Sequence, residues 1–240
     1  MNLFFRKAVF GILVLVIPSL SKGSDDKSLL IKADSLYQAK KYTEAFQGYE
    51  ELFRQNKGSS AMFARMAFIK EGLADYTNAL YYLSLYYNQT SDKRVLSKMR
   101  ELADQHALTG YEYSDGMFIS GLIKQYKNYI LFGLFLLSLL LGLYIYRKKK
   151  NHEQPVTSGI FQLITIACIM VLLNNLIFQD YGIVSQSNSL LMSAPSAGSE
   201  PIDIIEKGHK IRLIDAGEVW SKVMWNDREV FIRNQNLKRI

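Results

Sequence analysis

Hydrophobic and polar positions change rhythm several times along this chain, and each change predicts a different element. Ala8 to Ile17 is apolar, follows Arg6 and Lys7, and is ended by Pro18 and the small residues Ser19, Ser21 and Gly23. Its ten residues fall short of the roughly 20 a bilayer span needs, so residues 1–23 read as a secretory signal, with an uncleaved N-terminal anchor as the other reading. Beyond it, Phe46, Tyr49, Leu52 and Phe53, and then Leu80, Leu83 and Tyr87, recur every three or four positions, the stripe of packed helices. Two long uncharged stretches come next. After Asp180 the pattern breaks into short apolar runs separated by turn residues, which predicts strands.

The helical part repeats. At a shift of 34 residues, Ala33 aligns with Ala67, Tyr42 with Tyr76, Thr43 with Thr77 and Ala45 with Ala79. A period of 34 is that of tetratricopeptide repeats, whose unit is a pair of antiparallel helices. Small residues at Ala33, Ala45, Ala67 and Ala79 suit the close approach of paired helices. Tyr42 and Tyr76 follow the turns Lys40-Lys41 and Ala74-Asp75, where their rings wedge between the two. Tyr81, Tyr82, Tyr86 and Tyr87 could form a peptide-binding face, but helical spacing favours core or repeat packing. Ser91 and Asp92 open a further helix carrying Val95, Leu96, Met99, Leu102, Ala103 and His106 on one side. The repeat domain is expected over 24–116. About three units are normally needed for stability, so a degenerate unit around 110–123 or support from a partner is expected.

The uncharged stretches are expected to span a membrane as helices at 128–146 and 159–178. Tyr126, Tyr129, Tyr144 and Tyr146 flank the first like an aromatic belt, while Asn174 and Asn175 interrupt the exit of the second. Between them, in the loop 147–158, stand Arg147, Lys148, Lys149 and Lys150. No Lys or Arg follows the second span until Lys207. The positive-inside rule puts that loop in the cytoplasm and both flanking regions outside, in agreement with an exported N-terminus. Binding of anionic head groups by the same cations is compatible with this topology.

Charge alters the picture only once it is located. The chain of 240 residues has 29 Lys and Arg against 22 Asp and Glu, a net charge of +7, and a mean hydropathy of -0.01. Residues 1–23 hold three basic residues and no acid, and 124–153 hold six against one. Residues 24–123 hold 12 against 13, and 181–240 hold eight against seven. The excess lies beside the hydrophobic runs, and neither exported region carries the basic stripe of a nucleic-acid binder. No nucleic-acid partner is expected.

The strand-like runs are Ile183-Val184, Ser189 to Met192, Ile202 to Ile205, Ile211 to Ile214, Val219 to Trp225 and Val230 to Ile232. Their spacing suggests a small barrel at 181–240. Leu190 to Ser199 with its proline loop, Ile205 to Gly208, Trp220 to Val223 and Val230 to Leu237 resemble the pieces of a bacterial SH3-like domain, with Val230-Phe231-Ile232 where that family often has Gly-Trp-Val. In that pattern Trp220 is usually a core residue; Trp220 and Trp225 are the candidate ligand contacts.

In this order, a signal peptide, two repeat units, two close spans with a basic turn and an SH3-like module resemble the BatE-type tetratricopeptide proteins of the bacterial aerotolerance operon. The sharpest local pieces are Tyr76 to Tyr87, Leu108 to Asp115 and Ser193 to Ser199. The expected fold is therefore multidomain: an all-α tetratricopeptide solenoid, two transmembrane α-helices and a small all-β SH3-like barrel. The resemblance implies a scaffold in the bacterial inner (cytoplasmic) membrane, with repeats and SH3-like domain in the periplasm. Its implied partners are membrane proteins with von Willebrand factor type A domains and a MoxR-type ATPase, in tolerance of oxidative stress. A cell-wall sensor whose SH3-like domain binds peptidoglycan is the alternative.

Enzymatic chemistry finds little support. His106, His152 and His209 fall in the cap helix, the cytoplasmic turn and a strand turn, so they are expected to stay apart. The single cysteine, Cys168, lies in the second span, which removes a Cys–His nucleophile and leaves a small hydrophobe expected to be buried. There is no phosphate-binding glycine loop and no metal-ligand spacing, so no catalytic residue, metal or cofactor is expected.

Overall fold

The computed structural model describes residues 22–112, 115–152, 154–176 and 178–240. The expected signal segment lies outside these, except for Lys22 and Gly23, which begin the first helix. Helices α1 (Lys22–Gln38) and α2 (Tyr42–Arg54) form one hairpin, and α3 (Ser60–Gly72) and α4 (Tyr76–Thr90) form a second. The chain divides into two compact units between Gly58 and Ser59, so the first hairpin belongs to one unit and everything after it to the other.

The 34-residue period is visible in the geometry of both hairpins. Lys40 and Ala74 both adopt positive φ, 59° and 55°. The next residue's N–H returns to the preceding helix in each turn: Lys41 donates to the Leu36 carbonyl and Asp75 to the Lys70 carbonyl, both at 2.9 Å. This is the αL helix stop, repeated at one spacing. Ala33, Ala45, Ala67 and Ala79 are all buried. At Ala33 the helices approach closely: a Cβ added to Gly48 would lie 3.0 Å from the Cβ of Ala33. Tyr42 opens α2 and meets Tyr37 edge to face at 5.5 Å. Tyr49, fully buried in the same hairpin, donates through its hydroxyl to Asp34 at 2.7 Å.

Helix α4 stops at Ser91 in the left-handed conformation, and Asp92 caps α5 (Lys93–Gln105) by accepting the Arg94 N–H at 3.0 Å. Of the side of α5 that the apolar pattern singled out, Leu96, Met99, Leu102 and Ala103 are buried, Val95 is half-buried and His106 is exposed. No further hairpin follows among the described residues. Instead α6 runs from Asp115 to Lys150, and α4 and α5 pack on the chain's own sheet.

The 36 residues of α6 extend to about 54 Å at 1.5 Å per residue. That is longer than a hydrocarbon core of about 30 Å, and the expected span at 128–146 is the apolar stretch of a longer helix. The four cations Arg147 to Lys150 form its last turn, where they complement the helix dipole. Helix α7 (Val156–Leu173) begins earlier than the expected 159–178, and it ends earlier because Asn175, at φ 54°, supplies the αL stop. Leu131 on α6 packs with Ile169 and Leu172 on α7, and Gln162 donates to the Ser138 hydroxyl at 2.8 Å. The remaining apolar surface of both helices is exposed. Both helices are long and apolar enough to cross a membrane.

The C-terminal part is an antiparallel sheet of β1 (Asp180–Val184), β2 (Ser189–Met192), β3 (Pro201–Ile205), β4 (Lys210–Ala216), β5 (Trp220–Trp225), β6 (Arg228–Arg233) and β7 (Leu237–Arg239). Its order is β3-β2-β6-β5-β4-β1-β7. No hydrogen-bonded pair joins β3 to β7, so the pairing is that of an open sheet, not of the closed barrel expected from strand spacing. Register shifts at Leu191/Met192 and Leu213/Asp215 bend it. One face encloses Val184, Leu191, Ile205, Ile211, Val223, Val230, Ile232 and Leu237. Asn226 and Asp227, both at positive φ, make the β5–β6 turn, as a two-residue hairpin demands.

Candidate functional site

The functional geometry gathers where α4 and α5 dock on the sheet. Ala79, Leu80, Tyr87, Leu96, Met99, Leu102, Ala103 and Tyr111 share one buried cluster with Ile183 of β1. The segment after α5 fastens this seam. Thr109 accepts the Lys210 N–H at 3.0 Å, and its own N–H donates to His209 Nδ1 at 3.1 Å. The buried Tyr111 hydroxyl donates to the Gly208 carbonyl at 2.7 Å.

Two glycines permit the contact. Gly110 has φ +88°, and a Cβ there would lie 1.9 Å from the Lys210 carbonyl oxygen. Gly208 has φ +99° and would meet Leu108 at 2.9 Å. Each combines a backbone conformation that L residues avoid with a close approach.

Because the Thr109 N–H can only donate, His209 Nδ1 accepts, and the ring is neutral with its proton on Nε2. Burial holds the imidazole below its ordinary pKa, against the opposing pull of Glu206. Its ring meets Trp225 edge to face at 5.6 Å, and Trp225 Nε1 donates to Asp203 at 2.8 Å. That bond, with the Ile204 N–H, holds the Asp203 carboxyl below the usual range. His106 stacks on Tyr76, with centroids 3.7 Å apart, and Thr77 lies against Gly208. His106 and His209 thus have different partners, Tyr76 on one side and Thr109 and Trp225 on the other, and His152 lies in the α6–α7 turn.

Beside the seam lies a cavity of about 400 Å³, lined by residues of α4, α5, the first turns of α6, the segment after α7, β1 and β4. Lys210 is the residue that stands out in it. Buried at 9% exposure, its ammonium lies 4.6 Å from the Tyr181 ring centroid and 5.9 Å from that of Tyr111. Burial lowers its pKa from 10.5 to about 8. No sequence motif marks this lysine. Its neighbours Gly208 and His209 carry the only hint, a turn glycine just before a strand.

The other candidate residues occupy different places. Ala33, Tyr42 and Ala45 belong to the first hairpin, and Ala67, Tyr76 and Ala79 to the second, all in packing roles. Arg147 to Lys150 are remote from the seam, at the far end of α6. Trp220 and Trp225 are five residues apart on β5, so they point to opposite faces and cannot share a ligand side by side. Trp220 is half-buried under the Arg233 guanidinium, at 5.3 Å, and only Trp225 joins the seam. Tyr82 and Tyr87 are buried, as helical spacing suggested. Cys168 is exposed on α7 instead of buried, because it falls on the side away from α6. Among the described residues no cluster has the makings of a metal site.

Compared with protein families and with curated proteins, the chain matches no family model and no curated protein.

Proposed function

We propose that the protein is a non-enzymatic scaffold anchored in the bacterial inner membrane, whose helical repeats and sheet domain hold protein partners in the periplasm. On this reading the hairpins are tetratricopeptide units and the sheet is SH3-like. The partners are those of a Bat-type complex: von Willebrand factor type A membrane proteins and a MoxR-type ATPase, in tolerance of oxidative stress.

The observation that carries the reading is the seam itself. A repeat hairpin, a cap helix and a sheet are fastened together by Thr109, Tyr111, Gly110 and Gly208 next to the emerging apolar helices. That construction suits a rigid presenting surface, and its buried polar groups are spent on holding layers together. The basic turn at Arg147 to Lys150 supports a cytoplasmic loop with both ends outside.

Crosslinking in bacterial membranes tests the function. Von Willebrand factor type A proteins should be recovered with the full chain and lost when α1 and α2 are deleted; their absence from the full-chain sample sinks the proposal. Topology is tested separately with Cys168→Ser protein carrying Ser196→Cys or Asn151→Cys. A membrane-impermeant thiol reagent should label the first in intact spheroplasts and not the second.

Trp225 favours a second reading, binding of cell-wall peptide, because its half-exposed ring is oriented by Asp203 and flanked by His209. Full-length protein in detergent should then sediment with purified peptidoglycan and lose this with Trp225→Ala. Sedimentation unchanged by that substitution removes the reading.

A further inference from the structure

On the membrane-anchored reading, the cavity beside the seam sits where the apolar helices leave the membrane. Lys127 donates to Asn175 at 2.7 Å, joining the first turns of α6 to the end of α7 at the level where charged residues resume. Lys124, which lines the cavity, is one turn further out, about 5 Å along the helix. Phe178 and Gln179, which also line it, follow the end of α7 directly. The opening therefore lies at the depth of lipid head groups.

Its lining has two chemistries. Lys210 supplies a buried ammonium group, and Lys124 a second, half-exposed one that lies 3.9 Å from the Asp180 carboxylate next to the lining. Met99, Phe178 and the Tyr181 ring supply apolar wall, with the hydroxyl of Ser120 among them. A volume of about 400 Å³ is within the range of small-molecule sites, which are typically apolar with a few placed polar groups. Positive charge at depth with apolar walls suits an anion that brings its own hydrocarbon.

We propose that this cavity binds the phosphate-bearing head of an anionic phospholipid, with the buried Lys210 providing the charge, Lys124 turning to it from Asp180, and the aromatic wall covering the glycerol end. Free phosphate has the same anionic chemistry but would leave the apolar wall uncovered. Bound lipid would brace the seam against the membrane, since Lys210 is the residue whose backbone N–H holds Thr109. The proposal rests on the membrane-anchored reading given above.

The test uses the full chain in nanodiscs of phosphatidylcholine with and without phosphatidylglycerol, with lipid retention read by native mass spectrometry and stability by thermal unfolding. Phosphatidylglycerol should be retained and should raise the unfolding temperature. Lys210→Met, a substitution of similar shape that removes a buried charge, and Ser120→Leu, which fills the cavity, should each weaken retention roughly tenfold. Equal retention by wild type and both variants overturns the proposal. So does stabilisation by inorganic phosphate in phosphatidylcholine discs that matches that of the lipid. Flotation with phosphatidylcholine vesicles separates the two readings. Wild-type protein that fails to float overturns the membrane anchor and this site with it, whereas protein that floats but ignores phosphatidylglycerol overturns this site alone.

Discussion

The hydroxyl of Tyr111 donates to the carbonyl of Gly208 at 2.7 Å, across 97 residues of sequence. The bond is buried and ties the segment leaving the cap helix to the turn that opens β4. Around it, the N–H groups of Lys210 and Thr109 find acceptors on opposite sides of the seam. Domains that share only a flexible linker would have no such bonds.

Tyr111→Phe keeps the ring and removes the donor, leaving the Gly208 carbonyl buried without it. The expected loss is about 1–3 kcal/mol, measured by thermal or denaturant unfolding of the detergent-solubilised chain. Gly110→Ala should be far worse, because an added Cβ meets the Lys210 carbonyl at 1.9 Å in a positive-φ conformation; we expect loss of the docked seam, seen as rapid amide exchange at Thr109 and Lys210. A Gly110→Ala protein with wild-type protection would show that the seam is not formed in solution.

His209 makes the seam sensitive to acid. Its folded pKa is lowered by burial, so the unfolded chain takes up the proton first as pH falls. The contribution of His209 is thus fully present above its ordinary value of 6.5 and is lost progressively as pH falls through the lowered folded pKa. Protonation also places a proton on Nδ1, against the Thr109 N–H. His209→Asn, which keeps an acceptor near Nδ1 and does not titrate in this range, should flatten the fall in unfolding temperature below pH 6.5; an unchanged slope would sink the assignment.

Lys210 acts at the other end of the scale. With a folded pKa of about 8 against 10.5, the unfolded chain binds more protons between those values, so stability rises with pH across that window. Below it the buried ammonium imposes a constant penalty on the order of 3 kcal/mol. In detergent free of anionic lipid, Lys210→Met should be more stable than wild type near neutral pH and should lose the alkaline rise. Equal stability of the two proteins at every pH counts against a buried charge.

The turn before α4 is a local test of the repeat. Burial of Asp75 favours its neutral acid, but hydrogen bonds from Asn78 and Lys70 and the charge of Lys70 outweigh this and hold the carboxyl below its usual range. Asp75→Ala removes the helix cap and should cost about 1 kcal/mol. Ala74→Gly relieves a left-handed alanine, at φ 55°, and should return a similar amount. Unfolding midpoints of the two single variants and the double variant check both signs.

Much of the local structure was legible because it is written in near neighbours. The tyrosine and alanine pairs at a shift of 34 marked both hairpins, and Asp92 marked the start of α5. The apolar runs marked two long helices and six of the seven strands. Errors arose where a single residue's conformation decided the outcome. Asn175 shortened α7 by adopting positive φ. The open pairing of the sheet was not legible because periodicity reports strands and not how their edges pair. The isolated 181–240 segment, which reads in sequence as a self-contained module, places Ile183 in the cluster of the helices.

By itself the sequence determined the elements that depend on spacing and composition: helical stripes, apolar lengths and turn residues. The seam was decided only in three dimensions. Tyr111 and Gly208, Lys210 and Thr109, and Asn78 and Lys238 are partners between roughly 100 and 160 residues apart, each ordinary in its own stretch of chain. Burial is a property of the assembled layers, so Lys210 becomes a perturbed cation beside a cavity only after α4, α5 and the first turns of α6 have closed over β1 and β4.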